Sequence, residues 1–326
     1  NFGNVMYSIG IDLGGTTIKG IITGDNGYRS EIVRIPTEAS TGGVGILNNV
    51  FRVIETLMQR MDSSIRIRGI GLGSPGFIDT DGTVLGGAGN LPGWEGMQIY
   101  APMRQKFGIP VIASNDVTVM AFAEYCFGAA RDVKNCVCMA LGTGVGGGLI
   151  IDGRLYAGMH GMAGEIGHIS VDTNGRECNC GQRGCLEQYV AAPSIVAIVK
   201  EECEKVKHIT SSEFVNRVIE KPAEVTSKIV YEYVAFGDPV ACQLNEIICD
   251  KLARGIGIVA NIIAPERFVL GGGVMMSGDI IIDTVKKYVD RYCWKSIRQR
   301  FDIKAAELGD DAGVLGAAAL ALRGIQ

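Results

Sequence analysis

The chain has 326 residues, 47% hydrophobic and 20% charged, with a formal net charge of −4 and an isoelectric point near 5.6. That length and apolar content can fill two ordinary domain cores, and the acidic balance argues against the basic footprint of a nucleic-acid binder. Mean hydropathy is +0.21, yet no apolar run approaches the roughly 18–20 residues of a spanning helix, so neither nucleic acid nor membrane is an expected partner.

The first apolar run, Val5 to Leu13, is broken by Gly10 and Asp12 and has neither the basic flank nor the cleavage site of a secretory leader. A cytoplasmic location is expected, where ten cysteines would stay reduced and a cluster among them reads as metal or catalysis before disulfides. Tyr7 to Leu13, a corner at Gly14-Gly15-Thr16-Thr17 and Ile18 to Thr23 predict a β-hairpin. Leu47, Val50, Phe51, Ile54, Leu57, Met58 and Met61 recur at helical spacing, and Ile67 to Leu72 and Pro110 to Ala113 read as strands.

A second unit is expected from near Asn115. Cys136 to Leu141 reads as a buried strand, Gly142 to Gly148 as its turn and Leu149 to Ile151 as the return. Leu244, Ile247, Ile248, Leu252, Val259, Ile262 and Ile263 predict a long helix that stops before Pro265. Phe268 to Leu270 then leads into Gly271-Gly272-Gly273, and Ala312 to Leu322 reads as a helix buried all round. Two strand-turn-strand modules with glycine corners form a weak internal repeat, as a two-lobed protein with a cleft would show.

Between these modules, His168, Cys178, Cys180 and Cys185 place three thiols and one imidazole within eighteen residues. Tetrahedral zinc takes such a Cys₃His set, and four protein ligands leave no open position, so a structural Zn2+ is expected. Cys126, Cys136, Cys138, Cys203, Cys242, Cys249 and Cys293 are scattered singly on apolar segments and read as ordinary buried thiols.

The corner Gly14, Gly15 and Thr16 offers backbone N–H groups to phosphate oxygens, with Lys19 adding positive charge and Asp12 placed to hold magnesium through water. Thr143 and Gly144 repeat the device in the second half. Neither segment is a P-loop or a Rossmann fingerprint. A short glycine corner is also a common turn, and an Asn-Asp pair after a strand, as at Asn115-Asp116, is also a common helix cap.

With these elements in order, the chain resembles the ROK family of repressors, open reading frames and kinases. The matching segments are Asp12 to Lys19, Ser114 to Asp116, Gly142 to Gly148, Ala163 to His168, Cys178 to Glu187 and Gly271 to Gly273. The resemblance implies an α/β, two-lobed actin-like ATPase fold, with a small domain of 1–117 plus 309–326 and a large domain of 118–308 carrying the zinc loop. It implies ATP with Mg2+, a hexose substrate and a homodimer. Asp116 matches the catalytic base, and Asn90, Asn115, Asp116, Glu165, His168 and Glu187 match sugar-binding positions. Gly14, Gly15, Thr16, Thr143 and Gly144 would hold phosphates, and Gly271, Gly272 and Gly273 would lie near adenosine.

Asn90 to Trp94 and Glu165 to His168 look like the glucokinase branch, which makes glucose the first expectation. An N-acetylhexosamine or fructose is the alternative substrate, and a sugar-binding relative without turnover is the non-catalytic alternative. A repressor is disfavoured, because the eleven residues before Asp12 leave no room there for a helix-turn-helix.

Overall fold

Isoleucines alternating with serine, glycine and aspartate build the first strand, β1 (Tyr7–Leu13), which pairs antiparallel with β2 (Thr17–Gly24) from Tyr7↔Gly24 to Leu13↔Ile18. This is the expected hairpin. The computed structural model describes residues 5–62 and 64–323. After β3 (Val33–Pro36), helix α1 (Gly42–Arg60) lays Ile46, Val50, Ile54 and Leu57 against Ile9, Ile11 and Ile18 in one core. Strand β4 (Ile67–Ser74) is followed by a short hairpin, β5 (Phe77–Ile78) and β6 (Val84–Gly86). Helix α2 (Tyr100–Phe107), strand β7 (Val111–Asn115) and helix α3 (Asp116–Phe127) come next.

Strand β8 (Cys136–Leu141), β9 (Val145–Ile151) and β10 (Arg154–Tyr156) open the second half. The helices α4 (Glu187–Val190), α5 (Ala192–Val206), α6 (Glu213–Glu220), α7 (Ser227–Ala235) and α8 (Pro239–Ile263) follow. Asp238 caps α8 by accepting from Val240 and Ala241, and the helix ends at Ala264, whose φ of 48° lies in the left-handed region, just before Pro265. The chain closes through β11 (Arg267–Gly271), α9 (Gly278–Tyr288), α10 (Lys295–Arg298), β12 (Asp302–Ala305) and α11 (Ala312–Arg323).

The first sheet has the order β3-β2-β1-β4-β7 and the second β10-β9-β8-β11-β12. In the first, β4 runs parallel to both β1 and β7; in the second, β11 runs parallel to both β8 and β12. The registers Asp12↔Gly73 and Ser74↔Asn115 bring three parallel strands to a common carboxyl edge, the place where α/β sheets hold ligands. Likewise Gly271↔Ala140 aligns the exits of β8 and β11.

Small residues let α11 lie directly on its sheet. A β-carbon at Gly10 would overlap the Val314 carbonyl, and one at Gly71 would overlap that of Ala317. The turn expected over Gly142 to Gly148 is shorter in the structure: β9 starts at Val145, so Gly146 to Gly148 are strand residues. Gly148 answers a packing need, because a β-carbon there would strike Ala121.

By packing, the chain forms two compact units. One comprises Asn1–Asp132, Gly148–Gly164 and Glu307–Gln326; the other comprises Val133–Gly147 and Glu165–Ala306. This division differs from the domains expected from sequence in keeping α3, which packs on α11, and Gly148–Gly164 with the first unit.

Candidate active site and metal centre

In the first unit, Asp12 sits at the end of β1, directly across from Lys19 on β2. It lies against the start of α11, where any side chain at Gly313 would overlap its carboxylate. Burial pushes the Asp12 carboxyl up to about 6; Lys19 pulls it back, while Asp116 and Asp310 add to the rise. Lys19 donates from Nζ to the Asp310 main-chain oxygen at 2.8 Å. The position expected to supply positive charge to phosphates is therefore engaged by the turn before α11.

Asp116 is the first residue of α3, and Asn115 is its N-cap. Asn115 Oδ1 accepts from Val117 N at 3.0 Å and Thr118 N at 3.3 Å, while its Nδ2 donates to Gly76 O at 3.3 Å. The cap reading of Asn115 is thus realised, with both ends of its amide engaged. Asp116 Oδ1 accepts from Val117 N at 2.9 Å. Burial raises the Asp116 carboxyl above the usual range, and hydrogen bonds from Val117 and Asn115 offset part of that rise.

The corner at Gly14 closes through Gly14 N to Thr17 O at 3.0 Å. It is braced by Thr37, whose hydroxyl donates to Gly14 O at 2.7 Å and whose N–H donates to Thr16 O at 2.9 Å. Asn90 is exposed, with its Nδ2 beside Gly15. Its loop is anchored by fully buried Trp94, which donates to Ser74 Oγ at 2.8 Å. Trp94 closes the Asn90 to Trp94 segment noted in the sequence, whereas Ser74, its partner, carries no local signal.

In the second unit, the corner at Gly142 closes through Gly142 N to Gly144 O at 2.9 Å. Ala192 N donates to Gly142 O at 2.8 Å, and Val145 N donates to Glu187 Oε2 at 2.8 Å. Thr143 is exposed. Gly272, at φ 91°, packs on the Leu141 backbone so closely that a β-carbon would overlap it. Gly271 to Gly273 and the Gly142 corner are therefore neighbours.

The four expected metal ligands meet. One ligand atom from each of His168, Cys178, Cys180 and Cys185 lies within 4.8 Å of all the others. Tetrahedral bonds of about 2.0–2.3 Å require ligand atoms about 3.4–3.8 Å apart. His168 Nδ1 lies 3.6 Å from Cys178 Sγ, and Cys180 Sγ lies 3.5 Å from Cys185 Sγ. Both separations match a tetrahedral ion, and the three cysteines are free of disulfides. Gly181 and Gly184 take φ of 89° and 73°, which lets the loop double back. The other ring nitrogen, His168 Nε2, lies 3.8 Å from Glu165 Oε2. Burial raises the Glu165 carboxyl.

The predicted residues thus assemble as two groups. Asp12, Gly14, Gly15, Thr16, Lys19, Asn90, Asn115 and Asp116 belong to the first unit, and Thr143, Gly144, Glu165, His168, Glu187 and Gly271 to Gly273 to the second. Among the described residues, no helix is long and apolar enough to cross a membrane.

A model of the ROK family matches residues 8–324. The chain is 35% identical over 312 residues to a glucokinase of Halalkalibacterium halodurans, covering 95% of this chain and 93% of the relative. It is 31% identical over 313 residues to a glucokinase of Thermotoga maritima, covering 96% of each. Its fold matches the crystal structure of a ROK family glucokinase from Streptomyces griseus in complex with glucose and AMPPNP, at a TM-score of 0.76 and 29% identity. That match covers 97% of this chain and 99% of the other. The chain has the two-lobed actin-like ATPase fold and belongs to the ROK family.

Proposed function

We propose that this chain is an ATP-dependent hexokinase of the glucokinase type, transferring the γ-phosphoryl group of ATP to the 6-hydroxyl of glucose. The observation that carries the mechanism is Asp116, a half-buried carboxylate at the carboxyl edge of parallel strands and the head of α3. Burial makes it a stronger base than a surface aspartate. Asp116 accepts the hydroxyl proton as the sugar oxygen bonds to the γ-phosphorus, the bond to the β-phosphate breaks, and ADP leaves.

Asn90, Asn115, Glu165, His168 and Glu187 are assigned to the sugar, because amides and carboxylates match neighbouring hydroxyls and a missing hydroxyl leaves them unpaired. Gly14, Gly15, Thr16, Lys19, Thr143 and Gly144 are assigned to the phosphates, and Gly271 to Gly273 to adenosine. Asp12 would hold a magnesium ion through water, and that ion would offset charge on the phosphates. The Cys₃His set would hold zinc as a structural ion. A homodimer in the cytoplasm completes the proposal.

Steady-state ATP consumption across a panel of glucose, mannose, fructose and N-acetylhexosamines tests it. Glucose is expected to give the highest kcat/KM. A different preferred sugar would move the assignment within the kinases, and no sugar-dependent ATP consumption with any member would defeat the kinase reading.

A further inference from the structure

The metal ligands and the second glycine corner share one peptide. Val145 follows Gly144 directly, and its N–H donates to Glu187 Oε2 at 2.8 Å. Its carbonyl meets Gly167 so closely that a β-carbon on Gly167 would overlap it. Gly167 is the neighbour of His168, and Glu187 lies two residues beyond Cys185. The two segments that a bound metal would tie together therefore grip Val145 on both sides of its backbone. Gly144 lies against the same carboxylate: a β-carbon there would sit 2.6 Å from Glu187 Oε2.

We infer that Glu187 is a positioning residue for the nucleotide-phosphate corner, and that metal occupancy sets the shape of that corner through Glu187 and Gly167. A role in sugar recognition alone does not require this geometry. A carboxylate accepting a backbone N–H forms a charge-assisted bond, stronger than a neutral one. Here it aligns the strand start from which the Gly142-Thr143-Gly144 corner projects. The connection from Cys185 to Glu187 is short and buried: Leu186 is fully buried, and its N–H donates to Ile169 O at 2.9 Å. A displacement at the metal ligands has little slack in which to dissipate before it reaches Val145. The inference rests on the kinase reading, since it assigns the corner to ATP.

Calorimetric titration with a nonhydrolysable ATP analogue, in the absence of sugar, tests the coupling. Glu187→Ala is expected to weaken the analogue about tenfold, the scale of one lost charge-assisted bond. Glu187→Gln, whose amide oxygen still accepts from Val145, should recover most of that loss. Wild-type protein stripped of metal with a chelator should weaken by a similar factor while retaining its far-ultraviolet circular dichroism. Unchanged nucleotide affinity in Glu187→Ala, with weakened glucose binding, would confine Glu187 to the sugar and overturn the inference. Unchanged nucleotide affinity in the stripped wild type would break the link to the metal even if the alanine variant fails to fold. A wild-type protein that binds no analogue at all would instead remove the kinase reading, and this inference with it.

Discussion

The two glycine corners share a sequence grammar but differ in what holds them. The Gly14 corner is braced by uncharged groups, the Thr37 hydroxyl and backbone, with a half-buried carboxylate, Asp12, just before it in β1. The Gly142 corner is braced by a carboxylate, Glu187, from a segment that begins at Cys185 of the candidate metal centre. Burial sets the electrostatics of the first corner, and a metal bound at the Cys₃His set would fix the geometry of the second. Perturbations should therefore separate them: those near the first act on charge and chemistry, and those near the second act on affinity and stability.

The largest expected effect lies beside the first corner. Asp116→Asn should lower kcat by about 10²–10⁴, the usual range for a general base, while glucose affinity measured by calorimetry changes little. Full turnover would show that the base lies elsewhere. Next comes the cross-link. Cys180→Ser should lower metal affinity by at least about 10–100-fold, the range for losing even an outer hydrogen-bonding partner, and should lower the melting temperature. Stoichiometric zinc retained in that variant, measured by atomic absorption, would remove Cys180 from the ligand set.

A pH profile sharpens the contrast further. The Asp12 carboxyl is raised from 3.8 to about 6 by burial, so the folded protein holds a proton that the unfolded chain has released. Stability is then greatest below about pH 4 as far as this group is concerned, and declines as pH rises from about 4 to about 6. Magnesium binding requires the ionised form, so kcat/KM for ATP should run in the opposite sense and fall below about pH 6. Raising magnesium should shift that limb to lower pH, and Asp12→Asn should abolish it. A limb unaffected by Asp12→Asn belongs to another group. The smallest effect concerns the cap. Asn115→Ala should cost about 1 kcal/mol of stability in denaturant titration, whereas Asn115→Ser should recover most of it.

Much of this was legible in the sequence because the signals were local. The hairpin followed from alternation around one corner, α8 from its apolar period and Pro265, and the metal set from four residues within a short span. The remaining features depend on contacts distant in sequence. Glu187 meets Val145 across 42 positions. Glu124, a buried residue with no assigned role in the sequence reading, accepts from the N–H groups of Ala129, Glu307 and Leu308. Gly10 and Gly71 lie inside predicted strands with no local sign of their use, which is to be smooth ground for α11, a helix more than 230 residues further along. Asn115 shows the same limit within a motif: its use as a helix cap beside Asp116 was legible, but the bond from its Nδ2 to Gly76 O, 39 positions away, was not.

The most direct measurement follows a labelled γ-phosphoryl group through a single turnover with glucose and identifies the product by mass spectrometry. The account predicts one phosphorylated glucose for each ATP consumed by the wild-type protein, and almost none over the same interval from Asp116→Asn. ATP hydrolysed to free phosphate with no phosphorylated sugar, or equal product from both proteins, would contradict it.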